Sequence, residues 1–359
     1  MKLHIRPSFY VESEGQKLYP LAKTLALLRE VESSGNLRAA CTALSVSYRR
    51  AWDLLAEMEE TLGGAVVDMT RGKGTVLTEL GRRLVWADKL IHARFDPLLD
   101  SMAMEIDSEI QGAIRRVETN LKIFASHGFA VAALNNHLQH TGAPVELSYR
   151  GSLEGLQALH RGACDIAGFH IPVGEFEAPV FEQFKRLFKP SHVVINVATR
   201  RQGLMVPKDN PKGIWGVEDL LRPGIVIVNR QQGSGTRLIL DLLLQRQGGS
   251  GQQIAGFESV ELTHAAIGAY VASGKADTGL GVETAARQFD LDFVPILTER
   301  YFFICEKETL TDPRFEDALA FLQTTRFRAE ISKLPGYDAS QTGVIMSLTE
   351  AFPNFPGPA

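Results

Sequence analysis

The sequence has 359 residues, of which 45% are hydrophobic, and it carries a formal net charge of −4 at pH 7. This length and hydrophobic content are sufficient for two or three domains with their own cores. The slightly acidic balance excludes a uniformly basic surface, so binding to nucleic acid would need a local cluster of basic residues.

No segment of the sequence is typical of a secreted or membrane-spanning protein. The N-terminal stretch contains no uninterrupted apolar segment like that of a signal peptide, and no apolar run reaches the roughly 18 residues of a membrane-spanning helix. The three cysteines lie far apart and lack metal-ligand spacing: Cys41, Cys164 and Cys305. We therefore expect a cytoplasmic protein with reduced cysteines, without a metal or cofactor and without a membrane partner.

The N-terminal part of the chain predicts a strand or hairpin followed by three helices. Residues 1–20 alternate weakly between apolar and polar, and apolar residues recur at helical spacing from Leu21. Gly35 ends the first helix, residues 37–44 form a second, and Ser47 is a suitable N-cap for a third. The apolar residues of the third helix share one face: Ala51, Leu55, Met58 and Leu62.

Two short strands and a long helix follow. Strands around 65–69 and 75–78 flank a glycine-containing turn. Residues 79–107 place apolar side chains at close to heptad spacing, which predicts a linker helix with an apolar stripe that pairs in a homodimer or homotetramer. Pro97 predicts a kink or a break in this helix.

Basic residues are concentrated at the start of the third helix. Tyr48, Arg49 and Arg50 occupy its first turn, where side chains of a recognition helix reach base edges. Backbone N–H groups at Ser45 and Ser47 can bind a phosphate. The turn between the two strands adds two basic residues, Arg71 and Lys73. These residues are candidates for DNA contact. The alternative is an ordinary helical subdomain, because helix–turn–helix geometry also occurs in proteins that do not bind DNA.

The segments "GNLRAACTALSVSYRRAWDLLAEMEETLG" and "GKGTVLTELGRRL" resemble the winged helix–turn–helix of the ModE and LysR families, over about residues 20–105. The stretch "SYRRAWDLLAEME" is especially similar to the ModE recognition helix. The resemblance implies that four residues enter the major groove: Ser47, Tyr48, Arg49 and Arg50. It also implies that Trp52 packs within the domain.

After about residue 113, short strands alternate with helices, which predicts β-α-β units and a mainly parallel sheet. Two crossings of the chain, near 196–202 and 297–303, predict two lobes with a cleft between them. We expect an α/β protein with a winged helix–turn–helix at 1–82, a linker and dimerisation helix at 83–112, a two-lobed domain at 113–335 and a weakly structured tail at 336–359. The first lobe takes about 117–197 and 302–335, and the second about 198–301.

The stretch "NRQQGSGTRLIL" predicts an anion site at the start of a helix. Gly233 and Gly235 permit a tight turn, Ser234 and Thr236 supply hydroxyl groups, and Arg237 supplies a cation. The alternative is a glycine-rich turn with a structural arginine, since such turns are common connections.

Other strand-end loops repeat this pattern. If the strands are parallel, their loops meet at one edge of the sheet, where hydroxyl, amide and imidazole groups can surround an oxyanion. The candidates in these loops are Ser126, His127, Gly151, Ser152, His170 and Glu283. Taken singly, each serine is more often an N-cap and each histidine a partner of a backbone group. We expect Glu283 to bond Arg230, Arg237 or a histidine rather than the anion.

The patterns "NRQQGSGTR", "DIAGFH" and "ADTGLGVE" are similar to the PBP-like domain of type II periplasmic binding protein architecture, over about residues 117–333. In that family the domain occurs together with ModE-like DNA-binding domains. The resemblance implies a small oxyanion ligand such as molybdate or tungstate.

Together these features predict a ligand-responsive transcription regulator that binds double-stranded DNA and a small anion, and that is not an enzyme. One alternative is a regulator that senses a small carboxylate such as formate, or the molybdenum cofactor. Another is an enzyme of molybdenum-cofactor metabolism, although the sequence has no HExxH, GxSxG or paired-carboxylate motif.

Overall fold

A computed structural model describes residues 3–12, 19–70, 74–114 and 120–354. The chain forms two compact units. The N-terminal unit is Arg6–Asp96, and the C-terminal unit comprises Met1–Ile5 and Pro97–Ala359. No helix among the described residues combines the length and the apolar character needed to cross a membrane.

The N-terminal unit is a winged helix–turn–helix. Its elements are β1 (Tyr10–Val11), β2 (Tyr19–Pro20), α1 (Ala22–Ser34), α2 (Leu37–Ala43), α3 (Tyr48–Leu62), β3 (Val67–Thr70) and β4 (Gly74–Leu77). The strands pair as antiparallel hairpins, β1 with β2 and β3 with β4. The predicted first hairpin, three helices and two-stranded wing are therefore confirmed.

Local sequence explains where these helices begin and end. Gly35 adopts φ 63° at the end of α1, a conformation that glycine reaches without strain. The Asn36 side chain accepts hydrogen bonds from the first N–H groups of α2, and Ser47 accepts one from Arg50 N at the start of α3. The predicted apolar face of α3 packs into the core, where Leu55 and Met58 are fully buried.

Helix α4 (Glu79–Ile114) runs through Pro97 without a break and ends later than predicted. Proline removes a single intrahelical hydrogen bond, so a helix survives where its next turns are held by packing. After Pro97, Ser101 and Ala103 are buried, and Glu105 forms an ion pair with Arg150. The packing of these turns within the C-terminal unit explains why the predicted break is absent.

The C-terminal unit alternates strands and helices, as predicted. It contains β5 (Leu121–Ala125), α5 (Phe129–Thr141), β6 (Val145–Tyr149), α6 (Ser152–His160), β7 (Ile166–Pro172), α7 (Glu177–Phe184), β8 (His192–Val206), β9 (Asn229–Arg230), α8 (Gly235–Arg246), β10 (Val260–Glu261), α9 (His264–Ala272), β11 (Gly279–Val282), α10 (Glu283–Gln288), β12 (Asp292–Glu306), α11 (Glu316–Leu322), α12 (Thr325–Ser332), β13 (Tyr337–Asp338), β14 (Ile345–Ser347) and α13 (Leu348–Ala351).

The central sheet has the strand order β11-β8-β12-β7-β5-β6 and is mixed. Strand β5 is parallel to β6 and β7, whereas β12 is antiparallel to both β7 and β8. The prediction of a mainly parallel sheet is therefore wrong. A chain that crosses into a second lobe and then returns runs in opposite directions on its two passages, and β8 and β12 are those passages.

Strands β8 and β12 connect two lobes with separate cores. Both strands have 15 residues and pair over almost their whole length. Near one end, Ile195 and Phe303 lie in the core of lobe I with Leu121. Near the other end, Leu204 lies in the core of lobe II with Ile239.

The segment from Gly336 is ordered as far as it is described, contrary to prediction. Strands β13 and β14 both pair with β8, and helix α13 follows directly. The ring of Phe352 is buried against Phe169 and Phe302 in lobe I. The glycines and prolines of this segment suggested weak structure, but Leu348, Ala351 and Phe352 are buried in the lobe I core and hold it in place.

We predict that Phe352→Ala lowers the free energy of unfolding by about 3–5 kcal/mol, because a fully buried ring is lost. Chemical denaturation followed by circular dichroism measures this change. Ile345→Ala is the control, since Ile345 lies in the same segment and is exposed, and it should cost clearly less. Equal effects of the two substitutions would show that the tail does not pack in this way.

Candidate functional site

A cavity of about 170 Å³ lies in the C-terminal unit where loops of both lobes meet the middle of β8 and β12. Lobe I contributes the residues that follow β5 and β6, and lobe II contributes β9 and the start of α8 and α9. Its polar lining includes Ser126, His127, Tyr149, Arg150, His170, Arg200, Gln202, Arg230, Ser234, Thr236, Thr263, His264 and Glu299.

The lobe I candidates come together because β5, β6 and β7 are parallel. Ser126, His127, Gly151 and His170 line the cavity. Ser152 is buried behind them, where its hydroxyl accepts the N–H of His170 at 3.4 Å and lies 3.4 Å from the His170 ring nitrogen Nδ1. Ser152 therefore positions His170 and does not line the cavity.

The glycine-rich loop of lobe II also faces the cavity. Gly233 adopts φ 83°, which glycine reaches without strain, and leads into α8. Ser234 caps α8 by accepting the N–H of Arg237, and Ser234, Gly235 and Thr236 line the cavity. A side chain at Gly151 would lie 3.2 Å from the carbonyl oxygen of Gly233, so the loops of the two lobes approach closely here.

Arg237 does not supply the cation of this cavity, and the prediction of that role is wrong. Its guanidinium stacks on the ring of Phe257 at 3.8 Å and donates to the Phe257 carbonyl oxygen. It also forms ion pairs with Asp241 and Glu258. Arg237 follows Thr236 on the helix, and this one-residue step turns its side chain toward another face.

Glu283 also lies outside the lining of the cavity. Its carboxylate is buried and forms ion pairs with Arg201 at 2.6 Å and Arg287 at 3.2 Å. These are not the partners predicted for it, which were Arg230, Arg237 or a histidine. Glu283 begins α10 beside Gly336, so it belongs to the packing between β11 and the C-terminal segment.

Two arginines and a glutamate that the sequence argument did not place in the site lie at its centre. Arg200 on β8 and Glu299 on β12 are cross-strand partners, and Arg200 Nε donates to Glu299 Oε1 at 2.6 Å. Arg230 is the last residue of β9. The available signal was a charged residue inside an apolar strand, as in "HVVINVATRRQGLMV" and "DFVPILTERYFFICE".

Arg230 is buried without a counter-ion in the described part of the chain. It is 7% exposed, and its Nε donates to Gln231 Oε1 at 3.1 Å. Among the described residues, no carboxylate lies within 4.0 Å of its guanidinium. Burial and the nearby charge of Arg200 lower the pKa of Arg230 to about 10, although the more distant carboxylate of Glu299 opposes this shift, so Arg230 stays protonated at neutral pH.

Arg200 is held in its charged form by its neighbours. Burial opposes its charge, but the carboxylate of Glu299 and the hydroxyl of Tyr337 outweigh burial and raise its pKa. The two arginines together exceed the charge of Glu299, so the centre of the cavity is positive.

The histidines of the cavity are neutral. Burial, followed by the charges of Arg230 and Arg200, lowers the pKa of His127 to about 3. Burial and the same two arginines lower the pKa of His170 and of His264 well below the ordinary value. Each ring therefore offers one N–H donor and one acceptor nitrogen. No cluster of His, Cys, Asp or Glu suited to a metal is present in the described ranges.

The predicted DNA-binding residues lie together at the start of α3. Ser45, Ser47, Tyr48, Arg49 and Arg50 are all exposed, and Ser45 has φ 53° in the turn before the helix. Their side chains are therefore accessible to DNA.

Contacts around this turn orient some of the side chains. Arg50 pairs with Glu57 at 3.5 Å, and Arg38 lies over the ring of Tyr48. Trp52 is 39% exposed and contacts Tyr48 edge to face, so it is only partly packed within the domain. The other two candidates, Arg71 and Lys73, lie outside the described residues.

We predict that acid destabilises the folded chain through these histidines. In the unfolded chain they bind protons near pH 6.5, whereas in the folded chain they do so only at much lower pH. The free energy of unfolding therefore falls as the pH decreases below about 6.5, by up to about 1.4 kcal/mol per pH unit for each histidine.

The variant His127→Gln isolates one of these contributions. The loss of stability between pH 7 and pH 5, measured by urea unfolding, should be smaller by about 2 kcal/mol in this variant. The same substitution at exposed His140, outside the cavity, is the control. An unchanged pH dependence in His127→Gln would contradict a neutral His127.

Residues 135–323 match the family model described as a PBP superfamily domain. The uncharacterized protein YvgK of Bacillus subtilis is 32% identical over 248 residues, which cover 68% of this chain and 79% of that protein. The DNA-binding transcriptional dual regulator ModE of Escherichia coli is 32% identical over 101 residues, which cover 26% of this chain and 38% of that protein.

A solved structure of an OxyR C206 mutant of Corynebacterium glutamicum matches 90% of this chain and 94% of its own, with 13% identity and a TM-score of 0.40. The family assignment comes from the matched domain and the relatives in sequence. The chain belongs to the PBP superfamily; it also carries a winged helix–turn–helix and is similar in sequence to the regulator ModE over 101 residues.

Proposed function

We propose that this chain is a transcription regulator that binds double-stranded DNA through α3 and senses a small anion in the cavity between its lobes. In this proposal it works in the cytoplasm, and it acts by binding and not by catalysis. The observation that carries the proposal is Arg230, a buried cation with no carboxylate within 4.0 Å among the described residues, on which Glu299 acts only from a longer distance.

An unpaired buried charge is costly, because the charge loses water without gaining a partner. Arg200 is compensated by Glu299, whereas Arg230 lacks such a partner in the described part of the chain. An anion beside Arg230 would supply the missing charge. The start of α8 would add backbone N–H groups, since a helix N-terminus favours negative charge.

The first ligands to test are molybdate and tungstate, which the resemblance to ModE implies. A small carboxylate such as formate is the second candidate, because an arginine beside neutral donors suits a carboxylate equally well. The volume of about 170 Å³ argues against the molybdenum cofactor. A cavity of about 150 Å³ accommodates benzene, and the pterin of that cofactor is considerably larger than benzene.

Helix α4 provides a route by which a ligand would act. Pro97 and Leu98 of this helix line the cavity, and Ser101 Oγ accepts the N–H of Tyr149 at 3.3 Å. A ligand that favours one arrangement of this wall would shift the population of α4 positions. We propose a homodimer or homotetramer held by the exposed apolar side chains of α4: Phe95, Leu98, Met102 and Ile106.

We predict that Arg230→Met abolishes anion binding and leaves the free chain at least as stable as the native one. Methionine removes an unpaired buried charge and keeps most of the side-chain volume. The native chain should gain about 2.7 kcal/mol of stability at 100 times the dissociation constant of its anion, and the variant should gain none. Thermal unfolding with molybdate, tungstate and formate measures both effects.

The matched control is Arg237→Met, which removes a cation of the same domain outside the cavity. It should keep the anion-dependent stabilisation, although it loses contacts with Phe257 and Glu258. A native chain stabilised by none of a panel of anions would refute the proposed sensor. If Arg230→Met fails to fold in the absence of ligand, Arg230 instead has a structural role.

We predict that Arg49→Ala weakens DNA binding by about 1–3 kcal/mol, which is roughly 5- to 150-fold, and leaves anion binding intact. Arg49 is exposed at the start of α3 and has no ion-pair partner within 4.0 Å among the described residues. Fluorescence anisotropy with DNA from upstream of the gene measures the change.

The control for this substitution is Lys23→Ala, which removes one exposed positive charge from α1 of the same unit. It should weaken binding less, since α1 does not present the recognition residues. Equal losses in the two variants would show that α3 is not the recognition helix.

A further inference from the structure

We propose that the ligand of the cavity is an anion that also carries an O–H group, and that this hydroxyl donates a hydrogen bond to Glu299. The inference rests on the proposed function and specifies the class of anion. Monohydrogen phosphate and small hydroxycarboxylates share this chemistry.

Glu299 presents an acceptor that the described residues do not satisfy. It is fully buried and lines the cavity. Its Oε1 accepts from Arg200 Nε at 2.6 Å and lies 3.9 Å from His170 Nε2, whereas its Oε2 has no hydrogen-bond partner among the described residues. A buried carboxylate oxygen without a donor is costly, so a donor from the ligand would be favourable.

Gln202, which also lines the cavity, does not decide whether the ligand must present a hydrogen-bond donor, but Glu299 does. Gln202 Nε2 lies 3.3 Å from Thr236 Oγ1, and its Oε1 has no partner in the described ranges. An amide can rotate to present either its oxygen or its NH₂ group, so it adapts to a donor or to an acceptor. An ionised carboxylate paired with an arginine accepts hydrogen bonds and cannot donate them.

Two requirements on the ligand follow from this arrangement. Its negative group would lie beside Arg230 and the start of α8, and its donor would face Glu299. Molybdate, tungstate and sulfate are fully deprotonated at neutral pH, so they would place an oxygen lone pair against Glu299. A volume of about 170 Å³ also holds more than a tetrahedral oxyanion, and has room for roughly six non-hydrogen atoms, as in a three-carbon hydroxy acid.

Isothermal titration of the full-length chain at pH 7.5 tests this inference with matched pairs of anions. Phosphate is compared with sulfate, and lactate with propionate, because each pair differs chiefly by the O–H group. We expect the hydroxylated member of at least one pair to bind about 10- to 100-fold more tightly. If phosphate binds more tightly than sulfate, the site accepts the O–H of a phosphate. If lactate binds more tightly than propionate, it accepts the O–H of a hydroxycarboxylate.

The outcomes separate this inference from the proposed function. If sulfate, molybdate or tungstate binds as tightly as phosphate, and propionate as tightly as lactate, the inference is overturned while the anion sensor stands. If none of these anions binds, the proposed sensor fails as well.

Glu299→Gln provides a second test, since an amide can donate to a deprotonated oxygen. In this variant the ratio of the affinities for the hydroxylated and the non-hydroxylated anion should fall to about one, or the non-hydroxylated anion should bind more tightly. The control is Glu283→Gln, which neutralises another buried carboxylate, one that pairs with Arg201 and Arg287 outside the cavity, and it should keep the native preference. A folded Glu299→Gln that retains the full preference would overturn the role of Glu299. If Glu299→Gln does not fold, the comparison of the anion pairs on the native chain still decides the inference.

Discussion

Arg200 and Glu299 face each other across β8 and β12, at the register position where both strands pass between the lobes. This buried ion pair determines the electrostatics of the whole cavity. It compensates one of the two central arginines and leaves Arg230 with an excess positive charge. It also occupies one oxygen of Glu299 and leaves the other unsatisfied among the described residues. The result is a cavity that has an excess positive charge and also an open hydrogen-bond acceptor.

The neutrality of the surrounding histidines follows first from burial and then from the charges of Arg200 and Arg230. Burial removes water from His127, His170 and His264, and the arginine charges further oppose their protonation. Protonated histidines would add positive charge, which an anion of any shape could neutralise. Neutral rings instead offer hydrogen-bond donors and acceptors, so the proposed site would distinguish anions by the positions of their oxygens and protons.

The placement of the cavity suits a sensor. Its walls come from both lobes, from the strands that join them and from Pro97 and Leu98 of α4. A bound anion would therefore contact residues of both lobes and of α4. Ser101 of α4 bonds to Tyr149 at the end of β6, and Glu105 pairs with Arg150 in the loop that follows, so this wall is held by specific polar contacts as well as by packing. In the proposed regulator, a bound anion would therefore reach the linker helix without a separate coupling element.

The local pattern of the sequence determined the helices, strands and loop positions, because caps, turns and periodicity act over a few residues. It thus predicted the winged helix–turn–helix and the loop with Ser234, Gly235 and Thr236. Only the tertiary structure decided which charged residues meet. Arg237 and Arg230 flank the same loop, yet the helix turns Arg237 toward Phe257 while β9 directs Arg230 into the cavity. The pairing of Arg200 with Glu299, 99 residues apart, depends on strand register, which no local pattern encodes.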